Sequence, residues 1–251
     1  MSWKYLVPNG FTALSLVVGL ASVTQSAAGL YESAAWLILL GVILDKLDGA
    51  AARMLGASSE FGAEMDSFAD FVVFGTAPAA LAFFSLTGGI VEPGEGFIGG
   101  ACAVYTLAVA IRLARFNVTD PEGGSIFFLG IPTTACGGLF AAGWLAANAQ
   151  GVLSTAESAF PVILITLGLM MVSNLRIPKF SLRWSKPVNA FLVVNLVIAF
   201  VFIPLRMYPE YLFFQSSLYL VVGTTWATLR GERILADEAE SLTDPGVAES
   251  K

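Results

Sequence analysis

Four aspartates at helical spacing are the residues of this chain best suited to chemistry. Asp45 and Asp48 are three residues apart, and Asp66 and Asp70 are four residues apart. Side chains three or four positions apart share one face of a helix, so each pair would present two carboxylates on the same side. The two stretches are consecutive and separated by a short connection. We therefore expect antiparallel neighbouring helices whose carboxylates converge at one end of a bundle.

So many carboxylates in one place need a compensating positive charge. Each costs roughly 2.5–3.5 kcal/mol well inside a membrane span, and together they repel one another. Only Lys46 and Arg53 lie nearby in the sequence, and Lys46 is about 100° away from Asp45 around a helix. The chain has no histidine, so a metal site must use oxygen ligands. Carboxylates suit hard divalent cations, and the sequence predicts a site for Mg²⁺, Mn²⁺ or Ca²⁺.

Small residues keep the acidic helix faces open. Gly49, Ala52 and Gly62 each lie one helical turn from one of the aspartates. Their lack of bulk leaves room for a ligand between a metal and the backbone. Arg53 continues the face of Gly49 one turn further on, where its guanidinium could meet a phosphate.

The composition indicates a membrane protein. Hydrophobic residues make up 56% of the 251 residues and charged residues only 13%, with a mean hydropathy of +0.76, whereas a soluble domain carries about a quarter charged residues. The net charge of -6 says little about partners, because six acids lie between Glu232 and Glu249. Cys102 and Cys136 lie far apart in apolar stretches, so we interpret them as packing residues.

The predicted fold class is an all-α bundle of about eight transmembrane helices, with the active site at the cytoplasmic end of the second and third. A helix needs about 20 apolar residues to cross a bilayer. The predicted domain covers residues 1–230, followed by an acidic cytoplasmic tail over residues 231–251. The predicted spans are residues 8–30, 34–55, 62–86, 97–118, 131–150, 158–175, 188–205 and 211–229.

The distribution of basic residues predicts the orientation. With the N-terminus in the cytoplasm, only Arg206 falls on the outer side, as the positive-inside rule requires. The predicted location is therefore the cytoplasmic (inner) membrane, with the aspartates facing the cytoplasm. The residues that fall on the cytoplasmic side are Lys4, Lys46, Arg53, Arg112, Arg115, Arg176, Lys179, Arg183, Lys186, Arg230, Arg233 and Lys251.

The aspartates belong to a longer motif that resembles the signature of the CDP-alcohol phosphatidyltransferase family. The motif is Asp45-x-x-Asp48-Gly49-x-x-Ala52-Arg53, then eight residues, Gly62, three residues, Asp66, three residues and Asp70. It fixes eight positions at set spacing, so a chance match is improbable.

Further segments resemble the branch of this family that uses serine as the acceptor, and the resemblance covers most of residues 8–187. Thr133-Thr134 departs from the pattern, which has a second proline nearby. The segments are Pro8-Asn9-Gly10-Phe11-Thr12, Asp66-Ser67-Phe68-Ala69-Asp70 with Phe74-Gly75-Thr76-Ala77-Pro78, Arg112-Leu113-Ala114-Arg115-Phe116-Asn117, Leu129-Gly130-Ile131-Pro132 and Ser173-Asn174-Leu175-Arg176-Ile177-Pro178-Lys179-Phe180.

The resemblance implies a metal-dependent phosphatidyl transfer. CDP-diacylglycerol would be the donor, L-serine the acceptor and CMP the leaving group. Two divalent cations, Mg²⁺ or Mn²⁺, would be held by Asp45, Asp48, Asp66 and Asp70, and Asp70 would also be the general base. The family further implies a homodimer in contact with membrane lipids, and no nucleic acid is expected as a partner.

Substrate contacts are predicted at eleven positions. Arg112 and Arg115 would bind the serine carboxylate, although snorkelling at a span end also explains them. Arg176 would contact phosphate or substrate, although anionic lipid also explains its basic connector. The full set is Asn9, Thr12, Gly49, Ala52, Arg53, Gly62, Ser67, Arg112, Arg115, Asn117 and Arg176.

Other functions stay open at this point. The same motif serves acceptors such as inositol phosphate, glycerol phosphate and choline. A divalent-cation transporter would also place acids at membrane depth, but near the midplane and beside broken helices. Buried ion pairs between helices are a purely structural alternative, but acids within a membrane are functional by default. A scaffold without catalysis would leave the aspartate spacing unexplained.

Overall fold

The computed structural model describes residues 3–90, 96–119, 127–178 and 186–225, which are almost entirely helical. A π-helical turn, Phe71–Thr76, joins α3 to α4, and a 3₁₀ turn, Glu157–Ala159, joins α7 to α8. The helices are α1 (Trp3–Ala27), α2 (Tyr31–Leu55), α3 (Glu60–Asp70), α4 (Ala77–Thr87), α5 (Gly96–Thr119), α6 (Thr133–Ala149), α7 (Leu153–Ala156), α8 (Phe160–Val172), α9 (Lys186–Leu205) and α10 (residues 209–225).

Four helical stretches are long and apolar enough to cross a membrane: Trp3–Ala27, Glu60–Thr87, Gly96–Thr119 and Leu153–Val172. The chain is therefore a helical integral membrane protein, as its composition predicts. The number of eight spans stays a prediction, although each predicted span overlaps a helix of the described residues. The acidic tail, the end of the last predicted span, and Lys179, Arg183, Arg230, Arg233 and Lys251 lie outside the described residues.

Two short strands add to the predicted all-α fold. β1 (Phe127–Leu129) pairs antiparallel with β2 (Arg176–Pro178), with Leu129 opposite Arg176. Gly130 follows β1 with a φ of +73°, and its N–H donates to the Leu175 carbonyl at 2.7 Å. A Cβ at Gly130 would collide with the carbonyl oxygen of Met171. Only glycine fits there, so this turn fixes the chain that leads into α6.

Helices α1 and α2 form an antiparallel hairpin. The Ser22 hydroxyl donates to the Ala34 carbonyl at 2.9 Å near the turn. At the other end of the hairpin, the Thr12 hydroxyl lies 3.0 Å from a carboxylate oxygen of Asp48. The hairpin therefore carries the first turns of α1 to the half of α2 that holds the aspartates. We call this end of the bundle, where the four aspartates lie, the acidic end.

The connection between α2 and α3 is short because both helix ends are capped. Gly56 takes the left-handed conformation, and its N–H and that of Ala57 reach back to the carbonyls of Arg53 and Ala52. The Ser59 hydroxyl then caps α3 by accepting the N–H of Gly62 at 3.1 Å. These caps return the chain at once, so α3 begins beside the last turns of α2.

The π-helical turn at Phe71–Thr76 has a local cause in Pro78. A proline has no N–H, and its ring clashes with the carbonyl four residues earlier, here that of Phe74. The ladder widens, and the Ala77 N–H pairs with the Val72 carbonyl, five residues back. The hydroxyl of the fully buried Tyr105 donates to the Phe74 carbonyl at 2.7 Å. A side chain of α5 thus supplies the hydrogen bond that Pro78 cannot.

Glycines from three helices surround the π-helical turn. A Cβ at Gly19 in α1 would lie 2.8 Å from the Val73 side chain, and one at Gly41 in α2 would collide with the same side chain. In α6, a Cβ at Gly137 would lie 2.9 Å from the Phe74 side chain. Val73 and Phe74 are fully buried. The turn is therefore a packing centre that α1, α2 and α6 approach closely only because these positions carry no side chain.

We predict that Tyr105→Phe destabilises the bundle more than Tyr31→Phe. Both substitutions remove a hydroxyl that donates to a backbone carbonyl. The Phe84 carbonyl bonded by Tyr31 also accepts the Gly88 N–H, whereas Pro78 offers none to Phe74. A buried carbonyl left unsatisfied costs about 1–3 kcal/mol. Unfolding free energies in detergent measure the difference, and equal losses would show that the Tyr105 bond has no special role.

Candidate active site

Three of the four aspartates form a compact carboxylate cluster at the acidic end. Asp45 and Asp48 come from α2 and Asp66 from α3. One carboxylate oxygen of each lies within 4.8 Å of the others. Asp48 is buried, and the other two are partly buried. The hairpin and the short α2–α3 connection together bring these side chains into one place, as their spacing predicts.

The hydrogen-bond partners of the cluster correct one expectation from the sequence. Lys46 does not point away from Asp45, because its Nζ lies 2.9 Å from the Asp45 carboxylate. The lysine side chain is a flexible chain of four carbons. Its ammonium therefore reaches back to the preceding residue, although the Cα–Cβ bonds of the two residues point in different directions. Asp48 has a neutral partner, the hydroxyl of Thr12.

Asp70 lies one turn beyond Asp66 and outside the group of three. Its carboxylate accepts a hydrogen bond of 3.1 Å from the hydroxyl of Thr133, the first residue of α6. The charges of Lys46 and Arg112 are both close enough to interact with it. Asp70 therefore has an environment different from that of the other three, and its role as a metal ligand stays a prediction.

A cavity of about 220 Å³ opens beside the carboxylate cluster. Its walls come from the first turns of α1, the last turns of α2, the connection and the start of α3. Of the predicted substrate-binding positions, six line it: Asn9, Thr12, Gly49, Ala52, Arg53 and Gly62. Its other lining residues are Pro8, Asp48, Ala57, Ser58, Ser59, Ala63 and Asp66.

The glycines in this cavity face polar groups. A Cβ at Gly62 would lie 3.1 Å from the Ser59 hydroxyl and 3.2 Å from the Asn9 amide oxygen. A Cβ at Gly49 would lie 3.4 Å from the Arg53 guanidinium, which folds back over this position. The cavity is thus narrow at Gly62, where two polar oxygens face the backbone, and it is bounded by the Arg53 cation beside Gly49.

Ser67 and Asn117, both predicted to contact substrate, contact each other. The Asn117 amide donates to the Ser67 hydroxyl at 3.0 Å, and that hydroxyl lies 3.1 Å from the Ala63 carbonyl. This link ties the middle of α3 to the end of α5. The two residues lie outside the cavity lining described above.

Arg112 and Arg115 have different surroundings although they are three residues apart. Arg112 is 6% exposed and interacts electrostatically with Asp70. The Arg115 guanidinium donates to the carbonyls of Val172, Leu129 and Ser173 at 3.0, 3.0 and 3.2 Å. Arg115 therefore fastens α5 to β1 and to the end of α8, whereas Arg112 lies within the bundle near the aspartates. Arg176 lies in β2, opposite Leu129.

Sequence reasoning missed Thr133, Ser58 and Ser59. Ser59 had a recognisable signal, because a serine just before a helix is a common N-cap. Thr133 is 63 residues from Asp70, and only tertiary packing brings the two together. Its departure from the family pattern drew attention to the position but gave no partner for it.

The donor set fits a divalent cation. It consists of carboxylate oxygens, which Mg²⁺, Mn²⁺ and Ca²⁺ prefer. Two oxygens on opposite sides of one Mg²⁺ are about 4.2 Å apart, since each bond is about 2.1 Å. The 4.8 Å spread of the three aspartates is close to this value. Asp45, Asp48 and Asp66 could therefore share a hard cation after a small inward movement.

Comparison with known proteins agrees with this geometry. The family model for CDP-alcohol phosphatidyltransferases matches residues 5–201, which is most of the chain. The chain belongs to the CDP-alcohol phosphatidyltransferase family. The resemblance predicted from the aspartate motif is thus confirmed, and as a CDP-alcohol phosphatidyltransferase the chain is an enzyme.

Three curated relatives of this phosphatidyltransferase carry the same name. A CDP-diacylglycerol–serine O-phosphatidyltransferase of Helicobacter pylori is 36% identical over 223 residues, covering 87% of this chain and 90% of the relative. Proteins of the same name from Methanocaldococcus jannaschii and Bacillus subtilis are each 32% identical. Their alignments cover 77% and 70% of this chain, and 82% and 91% of the relatives.

We predict that Asp66→Asn weakens Mn²⁺ binding at least about tenfold, because loss of one charged ligand removes more than about 1.4 kcal/mol. Titration of the purified protein with Mn²⁺, followed by electron paramagnetic resonance, measures the affinity. Glu64→Gln is the matched control, since Glu64 lies two residues away on α3 and is exposed. It removes the same charge and should change the affinity by less than about twofold. Equal weakening in both variants would indicate a general charge effect.

Proposed function

We propose that this phosphatidyltransferase moves the phosphatidyl group of CDP-diacylglycerol to L-serine in a divalent-cation-dependent reaction, giving phosphatidylserine and CMP. The family membership and the shared name of its relatives support this assignment. The observation that carries it is the position of the carboxylate cluster, since Asp48 and Asp66 form part of the wall of the cavity lined by the family motif.

Asp45, Asp48 and Asp66 would hold the cations, of which we propose two, Mg²⁺ or Mn²⁺. When bound, the cations would neutralise the negative charge of the diphosphate. Lys46 keeps Asp45 in place through their ion pair. The Thr12 hydroxyl does the same for Asp48, so two of the three carboxylates in the cluster are held in position before a cation arrives.

Asp70 would accept the proton of the serine hydroxyl. As this proton moves to the carboxylate, the serine oxygen forms a bond to the phosphorus of the phosphatidyl group, and the bond from that phosphorus to the CMP oxygen breaks. Asp70 suits this role because it lies one turn from Asp66 and outside the cluster of three. A base beside the metal ligands can reach the acceptor without giving up a place in the metal site. Asp70 as a further metal ligand remains part of the proposal.

The cavity would hold the donor's nucleotide and diphosphate. Gly49, Ala52 and Gly62 leave room for them, and Arg53 offers a guanidinium to a phosphate. Asn9 and Thr12, on the facing turns of α1, would contact the nucleotide or the phosphates. The acyl chains would stay in the membrane.

The acceptor would enter on the side of Asp70 that faces α5 and α6. Serine is a zwitterion, so its carboxylate needs a cationic partner. The buried guanidinium of Arg112, which interacts electrostatically with Asp70, would bind that carboxylate. The end of α5 would be fixed by Arg115, Ser67 and Asn117. Direct contact of these three residues with the substrate, which the family resemblance implies, remains part of the proposal. We also keep Arg176 as a proposed substrate contact.

The arrangement in the cell is part of the same proposal. The basic residues favour an orientation in the cytoplasmic (inner) membrane with the acidic end facing the cytoplasm. The catalytic domain would span residues 1–230 and the acidic tail residues 231–251. The protein would act as a homodimer among membrane lipids.

We predict that purified protein in detergent releases CMP from CDP-diacylglycerol when L-serine and Mg²⁺ or Mn²⁺ are present. Inositol phosphate, glycerol 3-phosphate and choline are supplied in separate assays and should give no release. At saturating Mn²⁺, Asp70→Asn should lower the rate about 10²- to 10⁴-fold, as expected for loss of a general base, and it should still bind Mn²⁺ through Asp45, Asp48 and Asp66.

Each failure has a separate meaning. Release with another acceptor would keep the mechanism and change the substrate. If Asp70→Asn loses Mn²⁺ binding, Asp70 acts mainly as a metal ligand, and its proposed role as general base is contradicted. A folded protein that binds Mn²⁺ but releases no CMP with any acceptor would contradict the proposed reaction.

We also predict that Arg112→Gln raises the KM for serine about 10- to 100-fold, because it removes a charged hydrogen-bond donor worth about 1.5–3 kcal/mol. The KM for CDP-diacylglycerol should stay within about twofold. Arg53→Gln is the matched control, since Arg53 lines the donor cavity and should show the opposite pattern. If ethanolamine, which lacks the carboxylate, serves as well as serine, then Arg112 has another role.

A further inference from the structure

Thr133 has a specific contact that neither the family motif nor the proposed chemistry uses. Its hydroxyl lies 3.1 Å from a carboxylate oxygen of Asp70, and the residue is 1% exposed. A hydroxyl buried next to a carboxylate is a donor to it, because an ionised carboxylate can only accept. One oxygen of Asp70 is therefore bound by α6, and the carboxylate has a second oxygen that this hydrogen bond does not occupy.

The backbone of Thr133 is held firmly from both directions. Before it, Gly130 is fixed by its φ of +73° and its hydrogen bond to Leu175, and Ile131 is 1% exposed. After it, the Cys136 N–H closes the first turn of α6 on the Pro132 carbonyl at 3.1 Å. These contacts anchor the backbone around Thr133, so its hydroxyl can act as a fixed point for Asp70.

The partner is held by the same packing contact. Gly137, one turn after Thr133, lies against Phe74 of the π-helical turn. That turn begins directly after Asp70. The contact between Gly137 and Phe74 therefore fixes the position of the Thr133 hydroxyl relative to the Asp70 carboxylate.

We propose that Thr133 is a positioning residue, which holds one oxygen of Asp70 so that the other faces the acceptor hydroxyl. The inference rests on the proposed function, in which Asp70 takes the acceptor proton. Without the hydroxyl, Asp70 can turn towards the charges of Lys46 and Arg112 that reach it. A base that is misplaced by about an ångström loses much of its effect.

Three variants test the proposal in the CMP-release assay. Thr133→Val keeps the shape and removes the donor, and we expect kcat to fall about 10- to 100-fold with an unchanged KM for serine. Thr133→Ser restores the hydroxyl and should stay within about threefold of the unaltered enzyme. Thr134→Val is the matched control, a neighbouring threonine that is only partly buried, and should leave kcat unchanged.

The outcomes separate positioning from other roles. An unchanged kcat in Thr133→Val would overturn the proposal. A raised KM for serine with unchanged kcat would make Thr133 a substrate contact and also overturn it. If Thr133→Ser is as impaired as Thr133→Val, the restored hydroxyl does not restore the rate, and this result would also overturn the proposal in favour of a packing role for the whole side chain.

A structural readout keeps the test independent of the reaction. In an experimental structure of Thr133→Val, the Asp70 carboxylate should be turned away from its position in the unaltered protein. An unmoved carboxylate would overturn the proposal whatever the activity shows. If the unaltered enzyme releases no CMP with any acceptor, the proposed function fails, and this structure still decides whether Thr133 positions Asp70.

Discussion

The wide helical turn at Phe71–Thr76 governs how the rest of the bundle is arranged. It lies between the part of the helix that carries Asp66 and Asp70 and the part that fills the core. Pro78 breaks the regular ladder, and Tyr105 supplies the missing donor. The extra residue in the turn rotates the two parts relative to each other. The acidic face and the core-facing surface can therefore be set independently, which a regular helix does not allow.

Two of the four carboxylates, those of Asp48 and Asp70, have partners that do not neutralise them. Asp45 has a cationic partner in Lys46, whereas Asp48 and Asp70 accept hydrogen bonds from the hydroxyls of Thr12 and Thr133. A hydroxyl fixes the direction of a carboxylate and leaves its charge intact. The site thus keeps net negative charge in a partly buried place, which is costly unless a cation binds. Hydroxyl partners are what a metal-dependent site needs, and arginine partners would compete with the metal.

The sequence predicts local relations well and distant contacts poorly. Helical spacing alone placed the aspartates on shared faces, because the α-helix fixes which neighbours coincide. The ion pair of Lys46 with Asp45 was missed because Cβ directions do not limit a long flexible side chain. The bond of Thr133 to Asp70 depends on how α6 meets the π-helical turn. The three-residue strands were missed as well, since three residues are too few to show an alternating pattern.

The site divides into two sides that share α3. The donor side consists of α1, α2 and the start of α3, and six residues of the motif that identifies the family line its cavity: Asp48, Gly49, Ala52, Arg53, Gly62 and Asp66. The side around Asp70 is completed by Arg112 of α5 and Thr133 of α6, which lie outside that motif. On the proposed function, the nucleotide donor is common to the family and the acceptor differs. A motif that fixes the donor side and the base Asp70, but neither Arg112 nor Thr133, explains how one reaction can serve several alcohols, with α5 and α6 selecting among them.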